Sequence, residues 1–286
     1  MVEIGHHARF QVFPDVTFVP RRGAEAWVDV VDLAKLRKRD PDPPIWKAHR
    51  IDFHLFLVVT GGRGRHMVDF EHHGVEPGCL VHIAPKQVQQ FDREGSFDAF
   101  LLLFVPARME DLVPRSNWPT VARLPVRDFA LIESLTRAMY EVGQDSVHAS
   151  ASRVRPKLLL ALLEVAQSAI RASGSGSNWP GESELEAFEV LVESRFAAHR
   201  DLSWYARQLG TSARTLTRRA RKQWGTGAKE YIDRRVVLEA KRMLVHTDLT
   251  VEAIGYQLGF TEATNFVKFF KRFAGTTPAA LRASYE

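Results

Sequence analysis

The sequence of 286 residues is poor in cysteine, because Cys79 is its single thiol. One thiol can form neither a disulfide within the chain nor a cysteine-based zinc cluster, so both kinds of cross-link are excluded. Such sparse use of cysteine is typical of proteins in a reducing cytosol.

The sequence also lacks a long apolar run. The run at 99–105 ends at Pro106, and the run at 158–163 is interrupted by Glu164. A membrane-spanning helix needs about 20 apolar residues, so neither run is long enough. The first 20 residues carry charges and have no apolar core of the kind that a secretory signal contains. The sequence therefore predicts a cytoplasmic protein without a membrane partner.

What the sequence does contain is an excess of positive charge at one end. Its 39 Lys and Arg residues against 34 Asp and Glu residues give a net charge of +5. Residues 1–183 hold 22 charges of each sign, so residues 184–286 carry the whole excess with 17 basic and 12 acidic residues. This distribution indicates that the C-terminal part binds a polyanion, although a solvated basic surface would carry the same charge.

The character of the sequence changes at a segment rich in Gly and Ser, SGSGSNWPGES at 173–183. Alternating Gly and Ser form flexible linkers, which predicts two domains, at 1–172 and 184–286. Short β-rich runs between about 26 and 105 have the pattern of a β-barrel or sandwich. We expect a tight hairpin at Gly61-Gly62, which lies between two of these runs.

From about 126 to 172 the apolar spacing becomes helical. An apolar stripe on the second helix has nearly heptad spacing, which is typical of a seam between two protomers of a homodimer. Alternatively, the stripe packs on the barrel of its own chain, and the sequence leaves both interpretations open. The stripe consists of Val154, Leu158, Leu162, Val165 and Ala169.

In the C-terminal part, two segments repeat at a spacing of 49–50 residues. Each opens on a residue type that caps helices, Asp201 or Thr250, and closes on Gln-Leu-Gly, at Gly210 or Gly259. A glycine in this position favours the left-handed conformation that ends a helix, and a second helix follows each glycine. A helix, a short turn and a second helix form the helix-turn-helix plan, so the sequence predicts two such units.

The second helix of each predicted unit has a basic face opposite its apolar face. In the first unit, no acidic residue occurs from 214 to 229, whereas a merely solvated face would mix charges of both signs. Arginine can bind guanine through two hydrogen bonds, and Lys or Thr can reach bases or phosphates. The spacing therefore predicts binding to double-stranded DNA. The first basic face consists of Arg214, Thr217, Arg218 and Arg221.

The last third of the chain resembles the DNA-binding domain of AraC/XylS-type transcriptional regulators. The resemblance is strongest at 234–260 and 266–282, which include Gly-Phe at 259–260 and Thr277-Pro278. It implies two helix-turn-helix units joined by a long helix, two successive major-groove contacts, and recruitment of RNA polymerase. Lys271 and Arg272 would contact phosphates. The positions that face bases correspond to Arg214, Thr215, Thr217, Arg218, Ala263, Thr264, Asn265 and Lys268.

The N-terminal part is similar to the cupin-type sensor domain of the same family, through the segments 49–71 and 84–91. The implied fold class is α+β with two domains, a cupin-like β-barrel with flanking helices and then an all-α domain. The sequence departs from the family pattern at Gln89, where a histidine is usual. His49 and His54 are five residues apart, so their spacing does not make three or four donors converge. We therefore expect no metal or other cofactor.

A small barrel can enclose one small molecule, and the resemblance implies an effector. Aromatic and histidine side chains would suit an aromatic or mainly apolar metabolite. We expect a transcriptional regulator without catalytic residues. The alternatives are a metal-dependent cupin enzyme fused to a DNA-binding domain and a DNA-binding protein that needs no ligand. The expected effector-lining residues are Trp46, His49, His54, Phe56, His66, His82 and Gln89.

Overall fold

The computed structural model divides the chain into two compact units, one N-terminal and one C-terminal. Most of the predicted linker, 173–181, lies outside the described residues, and the remaining two residues of that segment are helical. No helix in the described parts of the chain is long and apolar enough to cross a membrane. The structure describes residues 3–4, 15–18, 27–39, 46–92, 97–105, 118–144, 151–172 and 182–285.

The strands of the N-terminal unit are β1 (Glu3–Ile4), β2 (Asp15–Thr17), β3 (Val28–Asp32), β4 (His49–Ile51), β5 (His54–Gly61), β6 (Gly64–Val68), β7 (Glu71–Val75), β8 (Cys79–Ile83), β9 (Val88–Phe91), β10 (Asp98–Phe104) and β11 (Val121–Arg123). Its helices are α1 (Leu33–Arg39), α2 (Val126–Gln144) and α3 (Ala151–Ala172). The strands form two sheets, in the orders β1-β2-β4-β9-β6-β7 and β11-β8-β5-β10-β3. In the described residues, the expected barrel therefore takes the form of two separate sheets.

Strand β5 is buried on both faces. Leu55, Leu57 and Val59 point into a core that the two sheets share, which we call the inter-sheet core. Phe56 and Val58 point the other way, into a second core between the five-stranded sheet and helices α2 and α3. The continuous apolar run of this strand follows from its position in the middle of three layers.

The hairpin predicted at Gly61-Gly62 is wrong. Strands β5 and β6 belong to different sheets, so this segment passes from one sheet to the other. A tight hairpin connects β6 and β7 instead, where Asp69 and Phe70 have φ angles of 49° and 70°. A type I′ turn requires two left-handed residues in succession, but Asp-Phe lacks the glycine that usually signals one.

Helices α2 and α3 occupy the helical region expected at 126–172 and pack on the five-stranded sheet. Leu162 and Ala169 of the predicted dimer stripe are buried inside this unit, at 0% and 2% exposure, so these two side chains cannot contact a second protomer. Leu158 and Val165 are only half-buried. The stripe thus packs largely on its own sheet, and its edge stays at the surface.

The described part of the C-terminal unit contains helices α4 (Glu182–Arg195), α5 (Leu202–Gln208), α6 (Ala213–Trp224), α7 (Ala228–His246), α8 (Val251–Gln257), α9 (Ala263–Ala274) and α10 (Pro278–Ala283). They enclose two apolar cores. Leu216 of α6 is buried in the first core and Phe266 of α9 in the second. Helix α7 contributes Ile232 to the first core and Val236 to the second, so this long helix joins the two halves as the family resemblance implies.

Ala220 of α6 is a small residue at a fully buried position. Aromatic rings from the end of α6 and from helices α4 and α7 fill the first core. Trp224 and Tyr231 stack with centroids 4.7 Å apart, and Phe188 lies 5.9 Å from Tyr231. These rings provide the apolar volume behind the first candidate recognition helix.

Candidate DNA-binding surface and effector site

Both repeats begin with a side chain that caps the first helix. The carboxylate of Asp201 accepts a hydrogen bond from the Ser203 amide at 3.2 Å, and the Thr250 hydroxyl accepts one from the Ala253 amide at 3.1 Å. Each contact satisfies an amide that has no partner within the helix. The two N-caps predicted from the sequence are therefore confirmed.

The glycine that ends each first helix is left-handed, with φ of +63° at Gly210 and +76° at Gly259. The amide that follows each glycine donates back to the carbonyl of a small residue, Ala206 or Gly255, near 3 Å. A Cβ on Gly255 would lie 3.1 Å from the Cβ of Phe266, so the absence of a side chain lets α8 approach α9 closely. The turn of each helix-turn-helix unit thus has the predicted backbone conformation.

Helix α6 turns an arginine-rich face to the solvent. Arg214, Arg218 and Arg221 are exposed, and they line one surface depression together with Ala213 and Thr217. Within the described residues, none of these three arginines forms an ion pair with a carboxylate. Their donors therefore remain free for phosphates or base edges.

The fourth arginine of α6 is different. Arg219 is half-buried on the side that faces α4, and its guanidinium contacts the carboxylate of Glu184. The four arginines of α6 therefore differ in role: Arg219 makes a structural contact with α4, whereas the other three face the solvent. The Thr217 hydroxyl donates to the Ala213 carbonyl at 2.8 Å, so its oxygen keeps only acceptor capacity for a ligand.

Helix α9 presents a mixed polar face in place of an arginine-rich one. Asn265 is exposed, and its side-chain amide donates to the Glu262 carboxylate at 3.3 Å. Ala263 is half-buried, as a short side chain near a helix start can be. The exposed side chains of this face are Thr264, Asn265, Lys268, Lys271 and Arg272.

The segment between α4 and α5 joins the two helix-turn-helix units. The Arg200 guanidinium lies 3.6 Å from the centroid of the Phe260 ring, and Phe196 packs against both cores. Arg235 of α7 lies 4.0 Å above the Phe196 ring and donates to Glu193 at 2.8 and 2.9 Å. These contacts hold α6 and α9 in one body. No sequence motif indicated them, because they join residues that are far apart in the chain.

Three of the expected effector-lining residues lie on the face of the five-stranded sheet that packs toward α2 and α3. Nδ1 of His54 is 3.0 Å from Nε2 of His82, and the His54 ring stacks on Phe104 at 5.0 Å. Phe56 and Trp118 complete this aromatic cluster. The seven expected residues therefore do not line one common space, because alternate positions of a strand point to opposite sides of its sheet.

The other four residues, Trp46, His49, His66 and Gln89, lie in or beside the inter-sheet core. Nδ1 of His49 is 2.9 Å from the Lys47 carbonyl, which can only accept, so this nitrogen carries the proton. Nε2 of His49 therefore accepts from the side-chain amide of Gln89 at 3.0 Å. This arrangement directs the Gln89 carbonyl oxygen away from His49.

Both histidines of this polar cluster are held neutral. Burial is the main reason why the pKa of His66 falls to about 3. His49 lowers it further, and a contact with the Gln89 side chain opposes the fall. Burial also lowers the pKa of His49, against the opposing effect of the Lys47 carbonyl. A neutral imidazole both donates and accepts, so the His66 ring can bind polar groups of a ligand, whereas both nitrogens of His49 already have partners within the protein. Among the described residues, no three His, Cys, Asp or Glu side chains are arranged to hold a metal ion.

Comparison with known proteins matches both units. A model described as an AraC-like ligand binding domain matches residues 30–163, and a model described as a helix-turn-helix domain matches residues 205–284. The HTH-type transcriptional activator RhaS of Salmonella schwarzengrund is 24% identical over 247 residues, which cover 82% of this chain and 86% of RhaS.

The solved structures that match parts of this chain include ToxT from Vibrio cholerae with bound unsaturated fatty acid. It is 11% identical, covers 89% of this chain and 94% of its own, and has a TM-score of 0.44. A regulator from Chromobacterium violaceum with an AraC-type DNA-binding domain is 23% identical over 37% of this chain and 94% of its own, with a TM-score of 0.34. The two domain models match the two units of this chain in the order that the AraC family has, and the chain belongs to the AraC/XylS-type transcriptional regulators.

Proposed function

We propose that the protein is an effector-responsive transcriptional activator in which α6 and α9 read two successive major-groove segments of double-stranded DNA. The observation that carries this proposal is the exposed face of α6, where Arg214, Arg218 and Arg221 have no carboxylate partner among the described residues. The contacts around Arg200 and Phe196 support simultaneous docking, because they join both helix-turn-helix units in one body. Two successive major-groove contacts lie roughly 34 Å apart along the duplex.

The two recognition helices, α6 and α9, contribute unequally to sequence discrimination. Arg214 and Arg218 offer forked donors that bind guanine through two hydrogen bonds, so α6 supplies most of the sequence discrimination. Helix α9 offers the Asn265 amide for adenine and Lys268 as a longer-reaching cation. Other side chains bind phosphates and set the register of the protein on the duplex. In this role we place Arg221, Lys271 and Arg272.

Replacement of Arg218 by alanine should weaken binding to the cognate site by about 1–3 kcal/mol and relax specificity at one base pair. The reason is the loss of a bidentate contact with a base. The measurement is titration of a labelled duplex, followed by selection of bound sequences from a library. A suitable duplex can first be selected with the wild-type protein.

The control variant is Arg219→Ala on the same helix. It removes the same charge from the chain, but its side chain is already paired with Glu184 on the side away from the proposed DNA contact. We expect it to leave the base preference unchanged. Equal losses of specificity in the two variants would show that α6 is not positioned in the groove as proposed.

The N-terminal unit binds the effector in this proposal, through Trp46, His66 and Gln89, and His49 orients the Gln89 side chain. Burial of polar groups that make fewer hydrogen bonds than they could is unfavourable, and a bound ligand relieves it. The effector then changes how the N-terminal unit acts on the DNA-binding unit through the connecting segment. It can shift this equilibrium only by the difference between its affinities for the two arrangements. The proposal assigns no catalytic residue, and RNA polymerase is the expected partner at the promoter.

The proposed homodimer uses the exposed edge of α3. Val154, Leu158 and Val165 are half-buried, and Ala161 between them is exposed. Their spacing of four, three and four residues follows the heptad pattern of a helix–helix seam. This edge replaces the stripe through Leu162, whose side chain is buried within the unit.

The variant Ala161→Glu should raise the dissociation constant of the dimer at least about tenfold, because it places a carboxylate from each protomer in an apolar seam. Sedimentation velocity over a concentration series measures the change. Ala130→Glu is the control, since Ala130 is an exposed alanine on α2, outside the exposed edge of α3. A dimer that Ala161→Glu does not weaken contradicts the assignment to α3.

A further inference from the structure

Five buried polar atoms of the N-terminal unit have no hydrogen-bond partner in the described part of the chain, and all five lie around one region of the inter-sheet core. The great majority of buried polar groups in proteins are paired, so the concentration of unpaired atoms in one region needs a physical explanation. One of them belongs to Arg37, which no sequence argument singled out. The atoms are Arg37 Nη2, Trp46 Nε1, His66 Nδ1 and Nε2, and Gln89 Oε1.

These side chains form a continuous path into the core. The Arg37 guanidinium, on α1, lies 5.4 Å from the centroid of the Trp46 ring and 5.8 Å from that of Phe97. Trp46 packs edge-on against Phe91 at 6.3 Å, and Phe91 packs edge-on against His66 at 4.6 Å. The path therefore begins at a cation, passes aromatic rings and ends at the His66 and Gln89 cluster.

Only some of the hydrogen-bond donors of Arg37 have a partner among the described residues. Its Nη1 donates to the Phe97 carbonyl at 2.8 Å and lies 3.5 Å from an Asp98 oxygen. Its Nη2 is buried and makes no hydrogen bond to a described residue. Burial lowers the pKa of Arg37, against the opposing effect of Asp98. A guanidinium nitrogen without an acceptor is costly to bury, and a carboxylate is the acceptor that matches its geometry.

The unpaired atoms select a class of ligand. At the Arg37 end both unpaired groups are donors, a guanidinium nitrogen and an indole N–H. The site has one cation there, and the Asp98 carboxylate that approaches it at 3.5 Å is largely exposed to water, so a ligand with one negative charge fits better than a phosphate monoester with two. The aromatic walls favour a flat apolar body next to that charge.

We propose that the effector is a small organic monocarboxylate with a flat apolar body, whose carboxylate binds Arg37 Nη2 and Trp46 Nε1. Its body lies along Phe91 toward His66, where a polar substituent can pair with the His66 ring or the Gln89 carbonyl oxygen. This inference rests on the proposed function of the N-terminal unit as the effector-binding unit. It adds the charge and the chemical class of the effector, and it assigns Arg37 as the residue that recognises them.

The test uses the full chain with two probes of the same shape, 3-phenylpropionate and its neutral amide, 3-phenylpropionamide. Binding is followed by tryptophan fluorescence and by the melting temperature of the N-terminal unit. We expect the acid to bind at least about tenfold more tightly than the amide, because only the acid forms a charge-assisted pair with Arg37. Equal affinities for acid and amide, or no binding of the acid at millimolar concentration, would overturn the proposal.

Two variants and one control variant connect the preference to the site. Arg37→Gln should abolish the preference for the acid, whereas Arg39→Gln, which changes an exposed arginine on the same helix, should retain it. Trp46→Phe keeps an aromatic ring, removes the N–H and should weaken acid binding several-fold even if Arg37→Gln does not fold. A preference for the acid that survives in folded Arg37→Gln overturns the assignment.

The same experiment separates this inference from the function on which it rests. If the amide binds and Gln89→Leu abolishes its binding while Arg37→Gln does not, the effector site stands and the carboxylate assignment fails. If the selected duplex binds without any dependence on Arg218, the proposed DNA-binding function fails whatever the probes show.

Discussion

Lowering the pH from 7 to 5 should destabilise the N-terminal unit by several kcal/mol. Burial is the main reason why the pKa values of His66 and His82 fall to about 3 and that of His54 to about 4, from an ordinary value of 6.5. The unfolded chain therefore binds protons that the folded chain excludes. Stability from this source is complete above pH 6.5 and is lost as the pH falls toward the folded values. Each fully buried histidine contributes about 2 kcal/mol of this loss by pH 5.

The C-terminal unit should respond with the opposite sign in the same pH range. Burial, together with Glu186 and Glu193, raises the pKa of Glu189 from 4.5 to about 7. The folded unit then holds a proton that the unfolded chain has lost, so Glu189 contributes stability at low pH. That contribution is lost as the pH rises from 4.5 through 7.

Hydrogen exchange read by mass spectrometry distinguishes the two units in one sample. Between pH 7 and pH 5, after correction for the intrinsic exchange rate, protection should fall in strands β5, β6 and β8 and rise in α4 and α7. Glu189→Gln should abolish the rise in protection of α4 and α7 and leave the loss of protection in the N-terminal strands unchanged. If both units shift in the same direction, the opposed roles of the buried histidines and Glu189 are wrong. The range stops at pH 5 because ordinary ion-paired carboxylates begin to titrate below it.

The variant Gly259→Ala should destabilise the C-terminal unit far more than its counterpart in the first repeat. Both glycines are left-handed, which costs an alanine about 1–2 kcal/mol. A Cβ at Gly259 would also lie 2.5 Å from the Ala197 carbonyl oxygen, whereas a Cβ at Gly210 would meet nothing within 4 Å. We therefore expect a further loss of about 1–3 kcal/mol at Gly259, because a backbone atom must move.

Urea unfolding of the two variants measures the difference, with Gly210→Ala as the matched control. The clash lies in the segment that joins the helix-turn-helix units, so Gly259→Ala should also displace α9 relative to α6. Binding to a duplex with both groove segments should then weaken more than the loss of folded protein accounts for. Equal stabilities of the two variants would show that the Ala197 carbonyl moves aside at little cost.

Much of the C-terminal unit could be predicted because its signals are local. A capping side chain at Asp201 or Thr250 and a glycine at Gly210 or Gly259 define the ends of short helices through contacts within a few residues. The 3.6-residue period then separates the buried side of α6 from its basic side. The free or paired state of each arginine was not predictable, because Arg219 meets Glu184 only after α4 packs on α6.

The N-terminal unit was less predictable because its short strands depend on distant partners. Strands β4, β7 and β9 were not distinguished as separate elements, since three to five residues carry little periodicity. The crossing at Gly61-Gly62 resembles a hairpin locally. Only the pairing of β5 with β8 and β10 shows that this strand belongs to the other sheet.

Residue types and their spacing were enough to predict the family, the two-part α+β organisation, the repeated helix-turn-helix plan and the basic face of α6. These properties depend on residue type and on spacing along a single helix or turn. Which effector-lining candidates share a space follows only from the packing of the sheets and helices. Alternation along a strand separates His54 from its neighbours, but it does not say which side of the sheet faces another sheet and which faces helices. The unpaired buried nitrogen of Arg37 beside Trp46 was not predictable either, because this contact forms only when α1 packs against the inter-sheet core.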